Sequence, residues 1–157
     1  MGKIISERAV RKLFSQNTVV LITGSFDVVH LGHLRFLQKA KEIVKDQGLL
    51  IVCLLDDQTI KQRKGPNRPV FGANYRSEFL SFVESIDYIF LWKKPWQKLR
   101  DFVLKTRPSY LAIVEGDPGF LNKKELIAKA GGKLIVIKKQ GNFSTTKIIN
   151  FLKIPQK

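Results

Sequence analysis

The chain has 157 residues, 44% of them hydrophobic, which is enough to bury a core and fits a single domain over residues 1–157. Its formal charge of +15 suggests an anionic partner, but its 28 lysines and arginines are spread along the sequence, which argues against nucleic acid. A lone cysteine excludes a disulfide framework. No run has the apolar length of a membrane span or the pattern of a signal peptide, so we expect a cytoplasmic protein without a membrane partner.

Short apolar runs alternate with amphipathic segments along the whole chain. Five runs rich in branched residues predict buried strands: Thr18–Thr23, Leu49–Leu55, Tyr88–Trp92, Tyr110–Val114 and Leu134–Ile137. The segments around them predict helices: Glu7–Phe14, Leu31–Gln47, Ala73–Glu84, Pro95–Lys105, Glu125–Ala130 and Thr145–Leu152. A charged stretch with Gly and Pro, Lys61–Pro69, predicts a loop.

This alternation predicts an α/β protein: a Rossmann-like, three-layer α/β/α fold whose five-stranded parallel sheet carries helices on both faces. Ligands of such sheets bind outside the carboxyl ends of the strands. The loops that follow the strands are therefore where we expect function, and they begin at Gly24, Asp56, Trp92, Glu115 and Lys138.

The loop after the first predicted strand reads GSFDVVHLGH and places His30 and His33 at the start of a helix. Gly24 and Gly32 allow the backbone to approach a ligand closely. A helix N terminus favours anions, and imidazole N–H groups can donate to the charge that develops on a phosphate under attack. A metal site would need further ligands, because the chain has only two histidines and no cysteine lies nearby. The pattern therefore predicts a phosphate site without a protein-bound metal.

The string resembles the HxGH nucleotidyltransferase superfamily, in its cytidylyltransferase-like branch, and it meets every fixed position of the pattern GxFDxxHxGH. Ser144–Ile148 resembles a second signature, STTxI, in which hydroxyl and N–H groups at a helix start hold phosphates. Lys64–Val70, KGPNRPV, is similar to a loop of bacterial D-glycero-beta-D-manno-heptose 1-phosphate adenylyltransferase domains, which serve lipopolysaccharide assembly. Glu115–Asp117 resembles a Gly-Asp element near the nucleobase. The resemblance extends from about Val19 to Leu152.

The resemblance implies roles for individual residues. The catalytic residues would be His30, His33, Lys64 and Thr146. The nucleotide would be bound by Gly24, Ser25, Phe26, Asp27, Gly32, Glu115, Gly116, Asp117, Lys139, Ser144 and Thr145. The phosphate of the second substrate would be bound by Lys64, Arg68 and Arg76. Mg²⁺ would arrive on the nucleoside triphosphate.

Several positions depart from the heptose enzymes and leave the substrate open. Ser25 replaces their Cys and is closer to the Thr of glycerol-phosphate cytidylyltransferases. Thr23, Leu55 and Val114 stand where Asn, a polar residue and Lys are usual. The segment Lys139–Phe143 is one residue longer than the family's R-x-E-G-x, and its lysine and Asn142 stand in for the Arg and Gly.

The leading expectation is transfer of AMP from ATP to a sugar 1-phosphate, heptose 1-phosphate in particular, with release of pyrophosphate and formation of ADP-heptose. A CTP-dependent cytidylyltransferase acting on glycerol 3-phosphate or a similar alcohol phosphate is the main alternative. A non-catalytic binder of nucleotide or nucleic acid is a third reading. The chain could also form a homodimer, since Trp92 and Trp96 fit an interface as well as they fit the core or a substrate loop.

Overall fold

Six parallel strands form one sheet in the computed structural model, which describes residues 2–142 and 144–152. The strands are β1 Lys3–Ile4, β2 Thr18–Gly24, β3 Gly48–Leu55, β4 Tyr88–Trp92, β5 Tyr110–Val114 and β6 Lys133–Ile137. Their order across the sheet is β1-β4-β3-β2-β5-β6. The helices are α1 Glu7–Gln16, α2 Leu31–Glu42, α3 Asp57–Lys64, α4 Ala73–Ser81, α5 Lys98–Thr106, α6 Phe120–Lys129 and α7 Thr145–Leu152.

Alternate residues of the central strands face opposite layers of helices. In β2, Val19 and Leu21 pack with α1, α5 and α6, whereas Val20 and Ile22 pack with α2 and α4. Both faces are covered, so the strands are apolar throughout rather than in alternation, and Cys53 of β3 is fully buried. The predicted three-layer, Rossmann-like fold is confirmed.

Two elements differ from the prediction. The sheet has a sixth strand, β1, which pairs with β4 through a hydrogen bond from the Lys3 N–H to the Asp87 carbonyl. Only two residues long and exposed, β1 has no apolar pattern to reveal it. The expected loop from Lys61 is wrong in its first part, because α3 extends to Lys64. Asp56 caps this helix by accepting from the Thr59 N–H, and Ile60 anchors it in the core.

Four helix ends are also displaced from their predicted positions. α2 stops at Glu42, because Lys45 adopts a positive φ of 49° and the chain continues as a short 3₁₀ turn. α6 begins five residues earlier than Glu125, after Asp117 has accepted a hydrogen bond from the Gly119 N–H. α4 ends at Ser81 rather than at position 84, and α5 begins at Lys98 rather than at position 95.

The position of β2 in the sheet determines where a ligand can bind. β2 pairs with β3 on one side and with β5 on the other. The chain thus proceeds from β2 to β3 and β4 in one direction and then crosses back to β5. Such a switch point leaves a crevice at the carboxyl ends of the two strands that flank it. Here these ends are Gly24 and Val114. Within the described residues, no helix is both long and apolar enough to cross a membrane.

Gly48 tests the packing of β3 against its neighbour. A Cβ atom at this position would lie 2.6 Å from the Thr18 carbonyl oxygen and 2.8 Å from Cβ of Val44. We expect Gly48→Ala to lower the free energy of unfolding by about 1–3 kcal/mol, as overpacking does, measured by urea denaturation. The control is Gly72→Ala, because the nearest atom there, Asp57 Oδ2, is 3.5 Å away. Equal losses in the two variants would contradict this account.

Candidate active site

A cleft of about 450 Å³ opens at the carboxyl ends of β2 and β5. Fourteen of the predicted site residues line it: Gly24, Ser25, Phe26, His30, Gly32, His33, Lys64, Glu115, Gly116, Asp117, Lys139, Ser144, Thr145 and Thr146. A larger cavity, of about 570 Å³, lies between α2 and α4, but Glu84 is its only charged lining residue. Most of the predicted site residues therefore meet at the cavity of about 450 Å³, which we call the cleft.

His30 and His33 form a stacked pair at the start of α2. Their ring centroids are 3.9 Å apart with an interplanar angle of 25°, and the Phe26 ring lies 5.3 Å from His33. The His30 N–H donates to Nδ1 of His33 over 3.4 Å, a long hydrogen bond. This contact leaves the proton of the neutral His33 ring on Nε2, so that Nε2 is a donor.

Burial keeps both imidazoles neutral. It is the largest cause that lowers the pKa of His33, to about 4, and the charges of His30 and Lys64 lower it further. Burial also lowers the pKa of His30, with a further contribution from Lys139. Near pH 7 the cleft of the free protein therefore presents neutral hydrogen-bond donors among lysine charges.

Lysines supply the positive charge of the cleft. Lys64 is the last residue of α3, and its Nζ donates to Oγ of Ser25 over 2.7 Å. Burial is the largest cause that lowers the pKa of Lys64, and the neighbouring Arg68 acts in the same direction. Lys123 also lines the cleft and pairs with Asp117 at 2.6 Å. Lys123 was not predicted, because nothing distinguishes it from the other lysines of an amphipathic helix.

The start of α7 also lines the cleft. Ser144 caps this helix by accepting from the Lys147 N–H, and Thr145 donates to the Val28 carbonyl over 3.2 Å. The N termini of α2 and α7 both contribute residues to the cleft, and both favour anions there. Phe143, the last residue of the predicted insertion, lies outside the described residues.

A turn after β5 forms the remaining wall. Gly116 has a φ of 80°, which a residue with a side chain would adopt only under strain. The Glu115 N–H donates to the Ile137 carbonyl, which joins this wall to β6. Asp117 accepts from the Gly119 N–H at 2.7 Å, in addition to its ion pair, so its carboxylate stabilises the turn itself.

Asp27, Arg68 and Arg76 are not among the residues that line the cleft. Asp27 is 3% exposed and pairs with Nε of Arg68 at 2.5 Å. Arg76 is 2% exposed, and its guanidinium donates to three backbone carbonyls and to Asp57. In the free protein the donors of Arg76 are thus engaged in the interior, and its phosphate-binding role stays a prediction.

No group of three His, Cys, Asp or Glu side chains placed to hold a metal ion occurs within residues 2–142 and 144–152. The acidic residues that line the cleft are Glu115 and Asp117. Asp117 is engaged by Lys123. The groups that face a ligand are mainly donors and cations, and these suit phosphate oxygens.

The chain belongs to the cytidylyltransferase-like family, whose sequence profile matches residues 21–151. This confirms the family that the histidine motif indicated and the prediction of a nucleotidyltransferase.

Among curated proteins, the chain is similar to bifunctional proteins named HldE. It is 33% identical to that of Syntrophotalea carbinolica over 134 residues, which cover 84% of this chain and 26% of the relative. It is 31% identical to that of Campylobacter fetus subsp. fetus over 157 residues, which cover 96% of this chain and 31% of the relative. The chain thus spans a third or less of the length of these relatives.

Solved structures share the fold. The lipopolysaccharide core biosynthesis protein from Thermoplasma volcanium matches with a TM-score of 0.62 and 21% identity, over 80% of this chain and 98% of that one. The pantothenate synthetase from Thermus thermophilus matches with a TM-score of 0.66 and 12% identity, over 93% of this chain and 67% of that one. At these identities the likeness is one of fold.

The neutral state of His33 has a consequence for stability. Its folded pKa of about 4 lies below the ordinary value of 6.5, so the unfolded chain binds more protons between these pH values. The contribution of His33 is therefore fully favourable above pH 6.5 and is lost as the pH falls toward 4. Between pH 7 and 5, we expect the wild type to lose about 2 kcal/mol more unfolding free energy than His33→Asn. Parallel pH profiles from urea denaturation of the two proteins would contradict the burial of this ring.

Proposed function

We propose that the chain transfers AMP from ATP to a sugar 1-phosphate, heptose 1-phosphate in particular, and releases pyrophosphate. The observation that carries this proposal is the stacked pair of His30 and His33 at the start of α2, facing the cleft that Thr145, Thr146 and Lys64 also line. The choice of adenine and heptose rests on the KGPNRPV segment and on the similarity to HldE proteins.

The reaction needs no covalent enzyme intermediate. A phosphate oxygen of the sugar phosphate attacks the α-phosphorus of ATP in line, and the bond from that phosphorus to the bridging oxygen of the β-phosphate breaks. Pyrophosphate leaves with the electrons of that bond. The protein positions the two substrates and stabilises the charge that builds on the α-phosphate and on the leaving oxygen.

The histidines supply the donors for that charge. Neutral Nε2–H of His33 donates to an α-phosphate oxygen, and His30 donates beside it, at the bridging oxygen. A bound phosphate favours the protonated form of an imidazole, so the binding of nucleotide raises the low pKa values that both rings have in the free protein. The donors are held in place by the start of α2 before the substrate arrives, and such preorganised donors contribute most to stabilising charge.

Cations and helix starts hold the remaining phosphates. Lys64 and Lys139 neutralise the triphosphate and the sugar phosphate, while Thr145 and Thr146 hold the departing pyrophosphate at the start of α7. The nucleotide enters as its Mg²⁺ complex, with the ion carried by the phosphates and by water. Arg68 stays a predicted ligand of the sugar phosphate, and its Nε pairs with Asp27 in the free protein.

A CTP-dependent reaction on glycerol 3-phosphate or a similar alcohol phosphate is the second candidate. Two features of the cleft favour it. Ser25 lines the wall beside the histidines. Val114, at the end of β5, is 37% exposed where the heptose enzymes carry a lysine. The two candidates share the mechanism and differ in base and acceptor.

We also propose a cytoplasmic location. The homodimer remains a prediction, and Trp92 has no part in an interface because it is 1% exposed in the core. Trp96 is half-buried and lies under the Arg63 guanidinium, 4.3 Å from ring centroid to carbon.

Pyrophosphate release tests the substrates. Purified protein with Mg²⁺ would receive ATP or CTP, each with heptose 1-phosphate or with glycerol 3-phosphate. We expect release only with ATP and heptose 1-phosphate. Release only with CTP and glycerol 3-phosphate would replace the leading assignment by the second one. No release in any pairing, together with no nucleotide binding in calorimetry, would contradict both and favour a non-catalytic binder.

His33→Ala tests the donor role. We expect kcat to fall by about 10²–10³-fold, which is typical when one preorganised donor is removed. Gln38→Ala, on the exposed face of the same helix, is the matched control and should keep wild-type turnover. The measurement is steady-state pyrophosphate release by proteins with equal thermal stability. Turnover of His33→Ala within about 3-fold of the control would exclude the assigned role.

A further inference from the structure

A buried carboxylate joins residues 25–30, the loop between β2 and α2 that we call the histidine loop, to the segment that follows Lys64. Asp27 Oδ1 accepts from the N–H groups of Val70 and Phe71, at 2.7 and 3.1 Å. Its other oxygen, Oδ2, accepts from Nε of Arg68 at 2.5 Å. All three donors belong to one short segment, residues 65–72, between α3 and α4, which we call the basic loop. A single side chain three residues before His30 therefore fixes the backbone of the basic loop.

Arg76 links the same two segments through further hydrogen bonds. Its Nη1 donates to the Ser25 carbonyl in the histidine loop at 2.5 Å, and its Nε donates to the Phe71 carbonyl at 2.9 Å. Its Nη2 donates to the carbonyl of Leu55 and to Asp57, at the end of β3 and the start of α3. Three segments that are distant in sequence are therefore tied to one planar group with fixed donor directions.

Lys64 is connected to both segments that Asp27 and Arg76 hold. It immediately precedes the basic loop, and its Nζ reaches Ser25, next to the carbonyl that Arg76 holds. Its position relative to the histidines thus depends on the contacts of Asp27 and Arg76 rather than on α3 alone. A buried ion pair is in general a weak source of stability. Transfer between two substrates, by contrast, is sensitive to displacements of about 1 Å.

We propose that Asp27 is a positioning residue that fixes the position of Lys64 relative to His30 and His33 through its hydrogen bonds to the basic loop. This inference rests on the proposed function, because the relative position of the lysine and the histidines matters only if they act on the same phosphates. Asp27 itself is 3% exposed and is not among the residues that line the cleft. Its effect on turnover therefore passes through Lys64.

A double-mutant cycle tests that route. Asp27→Asn keeps the side-chain volume and one oxygen for the two N–H groups, but it removes the charge that faces Arg68. When Lys64 is present, we expect Asp27→Asn to lower kcat/KM for pyrophosphate release by about 10²-fold relative to the wild type. In a Lys64→Gln background the same change should cost less than about 3-fold, because the group that it positions is gone. Equal fold-losses of kcat/KM in the two backgrounds would overturn the proposal. An unchanged kcat/KM for Asp27→Asn with Lys64 present would also overturn it.

A second readout does not depend on activity. Trypsin can cut after Arg63 and Lys64, which immediately precede the basic loop. In Asp27→Asn we expect cleavage at these two sites, measured by mass spectrometry, to be about 10-fold faster than in the wild type. Cleavage at Lys129 should be unchanged. Asp46→Asn, an exposed aspartate on the 3₁₀ turn, is the matched control and should change neither rate. Unchanged cleavage after Lys64 in Asp27→Asn would overturn the positioning role even if activity were lost.

The two readouts separate the inference from the function on which it rests. If the wild type released no pyrophosphate with any substrate pair, the proposed function would fail. The cleavage rates would still test whether Asp27 fixes the backbone next to Lys64. If Asp27→Asn did not fold, Arg68→Gln would remove the same ion pair from the side of the basic loop. The cycle with Lys64→Gln would then be repeated on that variant, with the same expected and contradicting results.

Discussion

The position of β2 between β3 and β5 is the constraint on which the site depends. It leaves a crevice at the end of β2, and the chain fills this crevice with the histidine loop and with the start of α2. Phe26 adopts a φ of 44°, and its ring packs over Gly24, where a Cβ atom would lie 2.7 Å from a ring carbon. The tight turn delivers His33 to the first turn of α2 beside a buried aromatic ring. The parallel topology, Gly24 and the start of α2 together place the two imidazoles at the cleft.

Burial gives these imidazoles their chemical character. A solvent-exposed histidine pair would carry charge part of the time near neutral pH, whereas burial and nearby lysines lower the pKa of both rings. The cleft of the free protein therefore holds neutral donors close to Lys64 and Lys139, so an arriving phosphate meets both oriented hydrogen-bond donors and positive charge. As a consequence, the fold becomes less stable as the pH falls below 6.5, because His33 binds a proton more readily in the unfolded chain than in the folded one.

The sequence predicts the apolar strands and the histidine motif well, because both are local patterns. It does not reveal β1, whose two exposed residues gain their structure only from pairing with β4. It also does not reveal that Arg76 is buried, because in the sequence this residue looks like an ordinary surface arginine on an amphipathic helix. Its partners, Ser25 and Leu55, lie 51 and 21 residues away, so no local pattern reports that it is buried. Local sequence patterns therefore do not predict contacts between residues that are far apart in the sequence.

The most direct test of the account exploits the presence of only two histidines in the chain. Imidazole nitrogen and proton signals of ¹⁵N-histidine-labelled protein would be recorded with and without Mg²⁺ and α,β-methylene ATP, with His33→Asn to assign them. We predict that both rings are neutral in the free protein at pH 7, with the His33 proton on Nε2, and that both signals shift as the nucleotide binds. Saturable nucleotide binding that leaves both histidine signals unchanged would contradict the claim that this pair binds the phosphates.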